Sequence, residues 1–355
     1  MNLHMSRRFF NLRTVKWCGG VVSMVDQTKL PGRIVYVKCR TVREVARAIK
    51  SMVVRGAPAI GVAAAMGLAL AAYRSRAKSR EALLDELESA SSILKSTRPT
   101  AVNLFWAISE IMEVARVSPG GVEEVKEAIV KRSIQMAEED VKANMRIGEY
   151  GSTLISDGDT VLTHCNAGAL ATVGYGTALA PIRTSISQGK SVKVYATETR
   201  PRLQGARLTA FELLTDKIPV TLITDGMVGY AMSRGLIRKV IVGADRIVLD
   251  GVFNKIGTYT IAIAAKYHNI PFYVAAPTST FDPSRTSESV KIEERDPKEV
   301  THILNVRIVP KGVEVLNPAF DLTPINLVDA IITDRGIIHR PNQKSISKFM
   351  EGIGR

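Results

Sequence analysis

The chain has 355 residues, 46% of them hydrophobic and 23% charged, with a formal net charge of +14. That length supports about two domains with separate cores, and the composition, free of low-complexity tracts, excludes a small binding module or a disordered chain. Its 48 lysines and arginines are spread along the whole sequence without interleaved aromatics. The charge therefore describes a basic surface, and nucleic acid is not an expected partner.

The first residues, "MNLHMSRRFF", carry two arginines but no following apolar stretch of signal-peptide length, so a cytoplasmic location is expected. "GGVVSMVDQTKLPGRIVYVKC" then reads as short strands around a Lys-Leu-Pro-Gly turn. From about residue 42 to 155 the spacing is helical in "VREVARAIKSM", an Ala-rich run, "REALLDELESASSILKS", "TAVNLFWAISEIMEVARV" and "GVEEVKEAIVKRSIQMAEEDVKANM". In the last of these Val122, Val125, Ile129 and Met136 form one apolar stripe, and Glu123 and Glu124 fall in the first turn, where the helix dipole favours acids. The uncharged run from Ala57 to Tyr73, 17 residues with Pro58 and glycines inside it, predicts a buried, closely packed helix, and no membrane partner is expected.

After Asp157-Gly158-Asp159 the pattern changes to short β-branched runs separated by helical stretches: "TVLTHC", "SVKVYATET", "VTLITD", "KVIVGADRIV", "FYVAAP" and "AIITDRGII". Buried strands alternating with helices predict a parallel sheet. The expected fold class is thus α/β, with a small sheet and helical domain over residues 1–155 and a Rossmann-like domain over 156–355. Ligands of such sheets lie beyond the carboxyl ends of the strands, which singles out Cys165, Glu198, Asp225, Asp245 and Pro277. No GxGxxG or GxxxxGK[ST] follows any strand, so the usual phosphate loops of dinucleotide and Walker-type sites are missing.

Three cysteines, Cys18, Cys39 and Cys165, stand apart, with no CxxC and no spacing suited to zinc, so thiols rather than a disulfide framework or a metal site are expected. Cys165 closes one strand and precedes "NAGALATVGYG", which can begin a helix. A thiol there is either polarised by the helix terminus or packed as a small hydrophobe. Asp245 ends an apolar run, where a carboxylate is costly unless it is paired or used. Arg246 offers an ordinary ion pair, although adjacent strand residues point to opposite faces; the alternative is a general acid with a raised pKa. "VVRGAPAIG" and "STRPTAVN" each place an arginine beside small residues where a helix starts. Free N–H groups of a helix terminus bind phosphate there, which makes Arg55, Gly56, Ala57 and Arg98 candidates beside the plainer reading of solvated charges. "NKIGTY" brings Asn254 and Lys255 onto a loop soon after Asp245, and "RPRLQGARLTA" brings Gln204.

Taken together, "MVVRGAPAIGVAAA", "RPTAVNLFWA", "THCNAGALAT", "YATETRPRLQGARLTAFEL" and "VGADRIVLDGVFNKIGTYTIAIAA" make the chain resemble the methylthioribose-1-phosphate isomerases, from "MVDQTKLP" to "ITDRGII". The wider superfamily also holds regulatory subunits of translation initiation factor 2B and ribose-1,5-bisphosphate isomerase, so the fold alone decides nothing. The resemblance implies Cys165 and Asp245 as the reacting pair and Arg55, Gly56, Ala57, Arg98, Gln204, Asn254 and Lys255 as substrate contacts. It further implies a small sugar phosphate as substrate, no metal or organic cofactor, and a homodimer.

Overall fold

A computed structural model describes residues 11–98, 101–303 and 305–354. The opening "MNLHMSRRFF" and Pro99-Thr100 of the second arginine motif lie outside the described residues. The chain forms two compact units: Met1–Arg146 together with Ala167–Ala180, and Ile147–Asn166 together with Pro181–Arg355. Where sequence spacing suggested a division at 155/156, the first break falls inside a long helix at Arg146/Ile147, and the stretch just after Asn166 belongs to the first unit.

The first unit opens with β1 (Val15–Trp17), β2 (Val22–Val25) and β3 (Tyr36–Cys39), an antiparallel sheet of that order. Helix α1 (Val42–Lys50) is started by Thr41, whose side chain accepts from the Glu44 amide while Glu44 reaches back, a reciprocal cap. Then come α2 (Ala57–Arg74), α3 (Arg80–Lys95, capped by Ser79), α4 (Val102–Val117) and α5 (Val122–Ser152). Helix α2 is the centre of this core. By length and composition it could cross a membrane, but 72% of it is buried inside the protein. Its alanines and glycines let neighbours approach closely: a Cβ on Gly61 would stand 2.8 Å from the Asn103 carbonyl oxygen of α4. Leu83, Leu87 and Leu94 of α3 are fully buried in the same core, each stabilising it by about 1.5–3 kcal/mol relative to exposure.

The second unit is built on a seven-stranded sheet. Its strands are β4 (Thr160–Thr163), β5 (Lys193–Thr197), β6 (Val220–Ile223), β7 (Lys239–Val242), β10 (Phe272–Ala275), β14 (Ala330–Thr333) and β15 (Gly336–His339). Three further strands, β8 (Arg246–Val248), β9 (Gly251–Lys255) and β13 (Phe320–Pro324), form a separate antiparallel sheet, and β11 (His302–Ile303) and β12 (Val306–Arg307) pair as a small hairpin. The helices include α6 (Ala180–Ser187), α7 (Ala210–Thr215), α8 (Val228–Ser233) and α9 (Thr258–Tyr267). In the large sheet every pairing is parallel except the β14–β15 hairpin.

The spatial order of the parallel strands is β6-β5-β4-β7-β10-β14. The chain therefore winds outward from β4 in one direction, returns to β7 beside β4, and winds outward in the other, which is the doubly wound Rossmann order. "KVIVGADRIV", read as one run from its apolar residues, is two strands in different sheets. Gly243, Ala244 and Asp245 separate β7 from β8, because β8 turns to pair with β9 instead.

Candidate active site

The point where the winding reverses lies between β4 and β7, and the crevice beyond the carboxyl ends of those two strands is where such sheets hold ligands. Cys165 stands two residues beyond the end of β4 and Asp245 three beyond the end of β7. Two elements far apart in sequence thus deliver the thiol and the carboxylate to the two sides of one switch point.

Cys165 is buried, 8% exposed, and is a free thiol. No α-helix directly follows it: Gly168 to Thr172 make only a short 3-10 turn at Ala169–Ala171, so of the two readings of this thiol, polarisation by a helix terminus has no helix to supply it. Its φ is +62°, in the left-handed region that residues with a Cβ seldom adopt. Both of its backbone groups are held. The N–H donates to Thr199 Oγ1 at 2.9 Å, and the carbonyl accepts from Thr209 Oγ1 at 2.7 Å.

Thr199 also has positive φ, +65°, in a turn fixed by Asp225, whose carboxylate accepts from the Thr199 and Arg200 amides at 2.8 and 2.7 Å. The Thr199 hydroxyl proton faces Thr197 Oγ1 at 3.1 Å and Thr197 O at 3.3 Å. Thr197 Oγ1 in turn lies 2.6 Å from His164 Nδ1, and His164 Nε2 lies 2.8 Å from the Ile256 carbonyl. A carbonyl only accepts, so Nε2 carries the imidazole hydrogen and Nδ1 accepts from Thr197. Burial pushes the His164 pKa down, against the opposing pull of the Ile256 carbonyl and Asp225. A neutral imidazole in one tautomer is therefore built in beside Cys165.

Asp245 is half-buried, and its N–H donates to the Phe253 carbonyl at 2.9 Å, extending the β8–β9 pairing by one residue. The neighbouring Arg246 reaches Asp282 at 3.3 Å. That contact supplies a partner for the arginine other than the adjacent aspartate, as alternation along a strand favours.

Asn254 and Lys255 are not on a loop; they are the buried last residues of β9, placed there by pairing with Asp321 and Phe320 of β13. The Lys255 ammonium donates to Ala319 O at 2.7 Å and sits 4.9 Å from the centre of the Phe320 ring. Asn254 Nδ2 donates to Thr258 Oγ1 at 3.0 Å. Asp321 accepts from the Gly257 and Tyr259 amides at the start of α9, and burial raises its pKa to about 6 despite those bonds. Gln204 is buried just before a π-helical turn, Gly205–Thr209, and its Oε1 has no hydrogen-bond partner. An unsatisfied buried acceptor of this kind is costly and calls for a donor from a ligand or water. Gly205 is required by close approach, since any Cβ would collide with the Thr197 carbonyl oxygen.

Arg55, Gly56, Ala57 and Arg98 belong to the first unit. Gly56 precedes α2 with φ +93°, and a Cβ there would lie 2.2 Å from the Ala171 carbonyl oxygen, so only glycine fits. Pro58 sits in the first turn of α2, which begins without a side-chain cap. Arg55 and Arg98 are both partly buried. Among the described residues no group of three or more His, Cys, Asp or Glu side chains is arranged to hold a metal ion.

Sequence reasoning did not single out His164, Thr197, Thr199 or Thr209. These residues come from different elements and have ordinary types and spacings; the only hint was the proximity of His164 to Cys165.

Residues 53–340 match the Initiation factor 2 subunit family. The methylthioribose-1-phosphate isomerase of Thermosipho melanesiensis is 53% identical over 340 residues, covering 95% of this chain and 98% of that protein. The crystal structure of 5-methylthioribose 1-phosphate isomerase from Pyrococcus horikoshii superposes with a TM-score of 0.90 at 44% identity, covering 99% of this chain and 100% of the other. A structure described as translation initiation factor eIF-2B, subunit delta, from A. fulgidus superposes with a TM-score of 0.86 at 51% identity, covering 96% and 100%. The chain belongs to the Initiation factor 2 subunit family, as one of its isomerases.

Proposed function

We propose that the chain converts 5-methylthioribose 1-phosphate to 5-methylthioribulose 1-phosphate, the aldose-to-ketose step of methionine salvage. The observation that carries this reading is the placement of Cys165 and Asp245 just beyond the carboxyl ends of the two strands that flank the switch point of the sheet. In this substrate the anomeric oxygen carries phosphate, so the ring cannot open to a free aldehyde. Asp245 acts as the general acid: it gives its proton to the ring oxygen, and the bond from that oxygen to C1 breaks. The electron-poor C1 then takes up the hydrogen of C2, and the C2 hydroxyl gives its proton to the Asp245 carboxylate as C2 becomes the ketone carbonyl, which restores the acid. Cys165 serves the C2-to-C1 transfer, either carrying the hydrogen as a proton to C1 or stabilising a direct hydride shift.

The strain held at Cys165 supports a working role, because non-glycine residues in the left-handed region persist where the surroundings over-determine them and cluster at functional sites. Its low exposure suits a reaction in which water would release phosphate from C1. Arg55, Gly56, Ala57 and Arg98 are proposed as phosphate contacts, and Gln204, Asn254 and Lys255 as partners of the sugar. The acting form proposed is a cytoplasmic homodimer that needs no cofactor.

The name of the A. fulgidus structure favours a second reading, a regulatory subunit that binds a sugar phosphate or nucleotide without turnover. Incubating the purified protein separately with methylthioribose 1-phosphate and ribose 1,5-bisphosphate, and following ketose formation, tests both readings. Turnover of the methylthio sugar in preference to the bisphosphate is expected. Preference for the bisphosphate would reassign the substrate, and binding without turnover would favour the regulatory reading.

A further inference from the structure

Behind Cys165, on its carbonyl side, lies a buried polar network that the proposed reaction does not use. Arg183 of α6 is fully buried and faces two carboxylates, Glu212 at 2.8 Å and Asp216 at 2.7 Å. Burial pulls the Arg183 pKa down and the two carboxylates more than reverse it, so the guanidinium stays charged. Glu212 Oε1 accepts from Asn166 Nδ2 at 2.9 Å, and the same Nδ2 lies 3.1 Å from Thr209 Oγ1. Thr209 Oγ1 in turn donates to the Cys165 carbonyl.

Counting hydrogens gives this chain a direction. The Thr209 hydroxyl has one proton, and the carbonyl takes it. Asn166 must therefore present its NH2 group, one hydrogen to Thr209 and one to Glu212. If the amide were turned over, its oxygen would face a carboxylate oxygen and a hydroxyl already committed as donor. The Glu212 carboxylate sets the amide orientation, and Arg183 holds that carboxylate in place.

We propose that Glu212 is a positioning residue, acting through Asn166 and Thr209 to hold the Cys165 backbone in its left-handed turn and so to aim the thiol. This rests on the reading of Cys165 as the group that serves the C2-to-C1 transfer. A glutamine at 212 has a single oxygen where both Asn166 and Arg183 need an acceptor, so Glu212→Gln breaks the chain without changing its size. Thr209→Val removes the hydroxyl at nearly constant shape, and Thr209→Ser restores it.

The test combines three measurements on the full-length chain carrying each variant: kcat and KM with methylthioribose 1-phosphate, the rate and pH profile of Cys165 alkylation by iodoacetamide read by peptide mass spectrometry, and thermal unfolding. Thr209→Val and Glu212→Gln are expected to lower kcat by about tenfold or more with KM within about twofold, as misplacement of a reacting group does. They should also change the Cys165 alkylation rate by about threefold or more, as altered access and environment of a thiol do. Thr209→Ser should return both towards wild type. If Glu212→Gln fails to fold, the Thr209 pair carries the test. A fall in melting temperature with kcat and the alkylation profile unchanged in the folded protein would overturn the proposal and leave the network purely structural. If the wild-type protein does not turn over the sugar, the functional reading fails, and the alkylation profile still decides the positioning.

Discussion

The amide of Cys165 and the hydroxyl of Thr199 are joined at 2.9 Å, and both residues sit in the left-handed region, at φ +62° and +65°. Each turn braces the other, since Thr199 can reach the amide only from a backbone that Asp225 holds in that conformation.

Thr199→Val keeps a β-branched side chain of similar size, so it leaves the backbone strain as it is and removes the hydroxyl that accepts from the Cys165 amide and faces Thr197. The buried Cys165 N–H is then unpaired, at a cost of about 1–3 kcal/mol. A lower melting temperature and reduced turnover are expected together, and Thr199→Ser should keep most of both.

Two of the proposed substrate contacts can be tested singly. Arg55→Ala should weaken substrate binding by about 1.5–3 kcal/mol, the range for hydrogen bonds to a charged group. Lys255→Ala should weaken binding similarly and also lower the melting temperature, because its buried ammonium holds the Ala319 carbonyl. Isothermal titration of both variants and a thermal scan of Lys255→Ala check these outcomes.

In the first unit, Asp140 accepts from the Val173 amide at 2.8 Å and from Asn144 Nδ2 at 3.0 Å, tying α5 to the segment that follows the cysteine loop. The residue keeps some surface open, but its carboxyl group is under cover, and burial raises its pKa to about 7 in spite of those bonds. From the ordinary carboxylate range up to about 7 the folded state therefore holds a proton that the unfolded chain has released. Its contribution is fully present below the unfolded pKa and is lost as pH rises through about 7. Asp140→Asn should remove this component, which is at most about 1.4 kcal/mol per pH unit. Denaturation midpoints of both proteins across that window check the sign.

Much of this was legible in the sequence because it rests on periodicity. The apolar stripe of α5 and the alternating strand and helix runs announced a helical region before a parallel sheet, and strand ends pointed to Cys165 and Asp245. The failures have one physical cause: tertiary pairing overrode local pattern. Asn254 and Lys255 looked like loop residues because nothing in "NKIGTY" reveals that β13 pairs with it across a long gap in sequence. The break between β7 and β8 was hidden because Gly243 and Ala244 continue an apolar run. The helix expected after Cys165 is absent; Gly56 presses on Ala171 in that segment, within the first unit. The hydroxyls that hold Cys165 carry no signal of their own, since a threonine in a strand is ordinary until its partner is known.

Turnover of the purified protein on methylthioribose 1-phosphate, measured for Cys165→Ala, Cys165→Ser, Asp245→Asn and the double variant Cys165→Ser/Asp245→Asn beside wild type, tests the central claim most directly. Each single variant is expected to lose about two to four orders of magnitude in kcat with binding little changed, the range for groups that move protons in the transition state. The double variant should be far less impaired than the product of its single effects, because both groups serve one reaction path. Near-normal turnover in Cys165→Ala, with any change confined to the melting temperature, would contradict the account and return Cys165 to the status of a packed side chain.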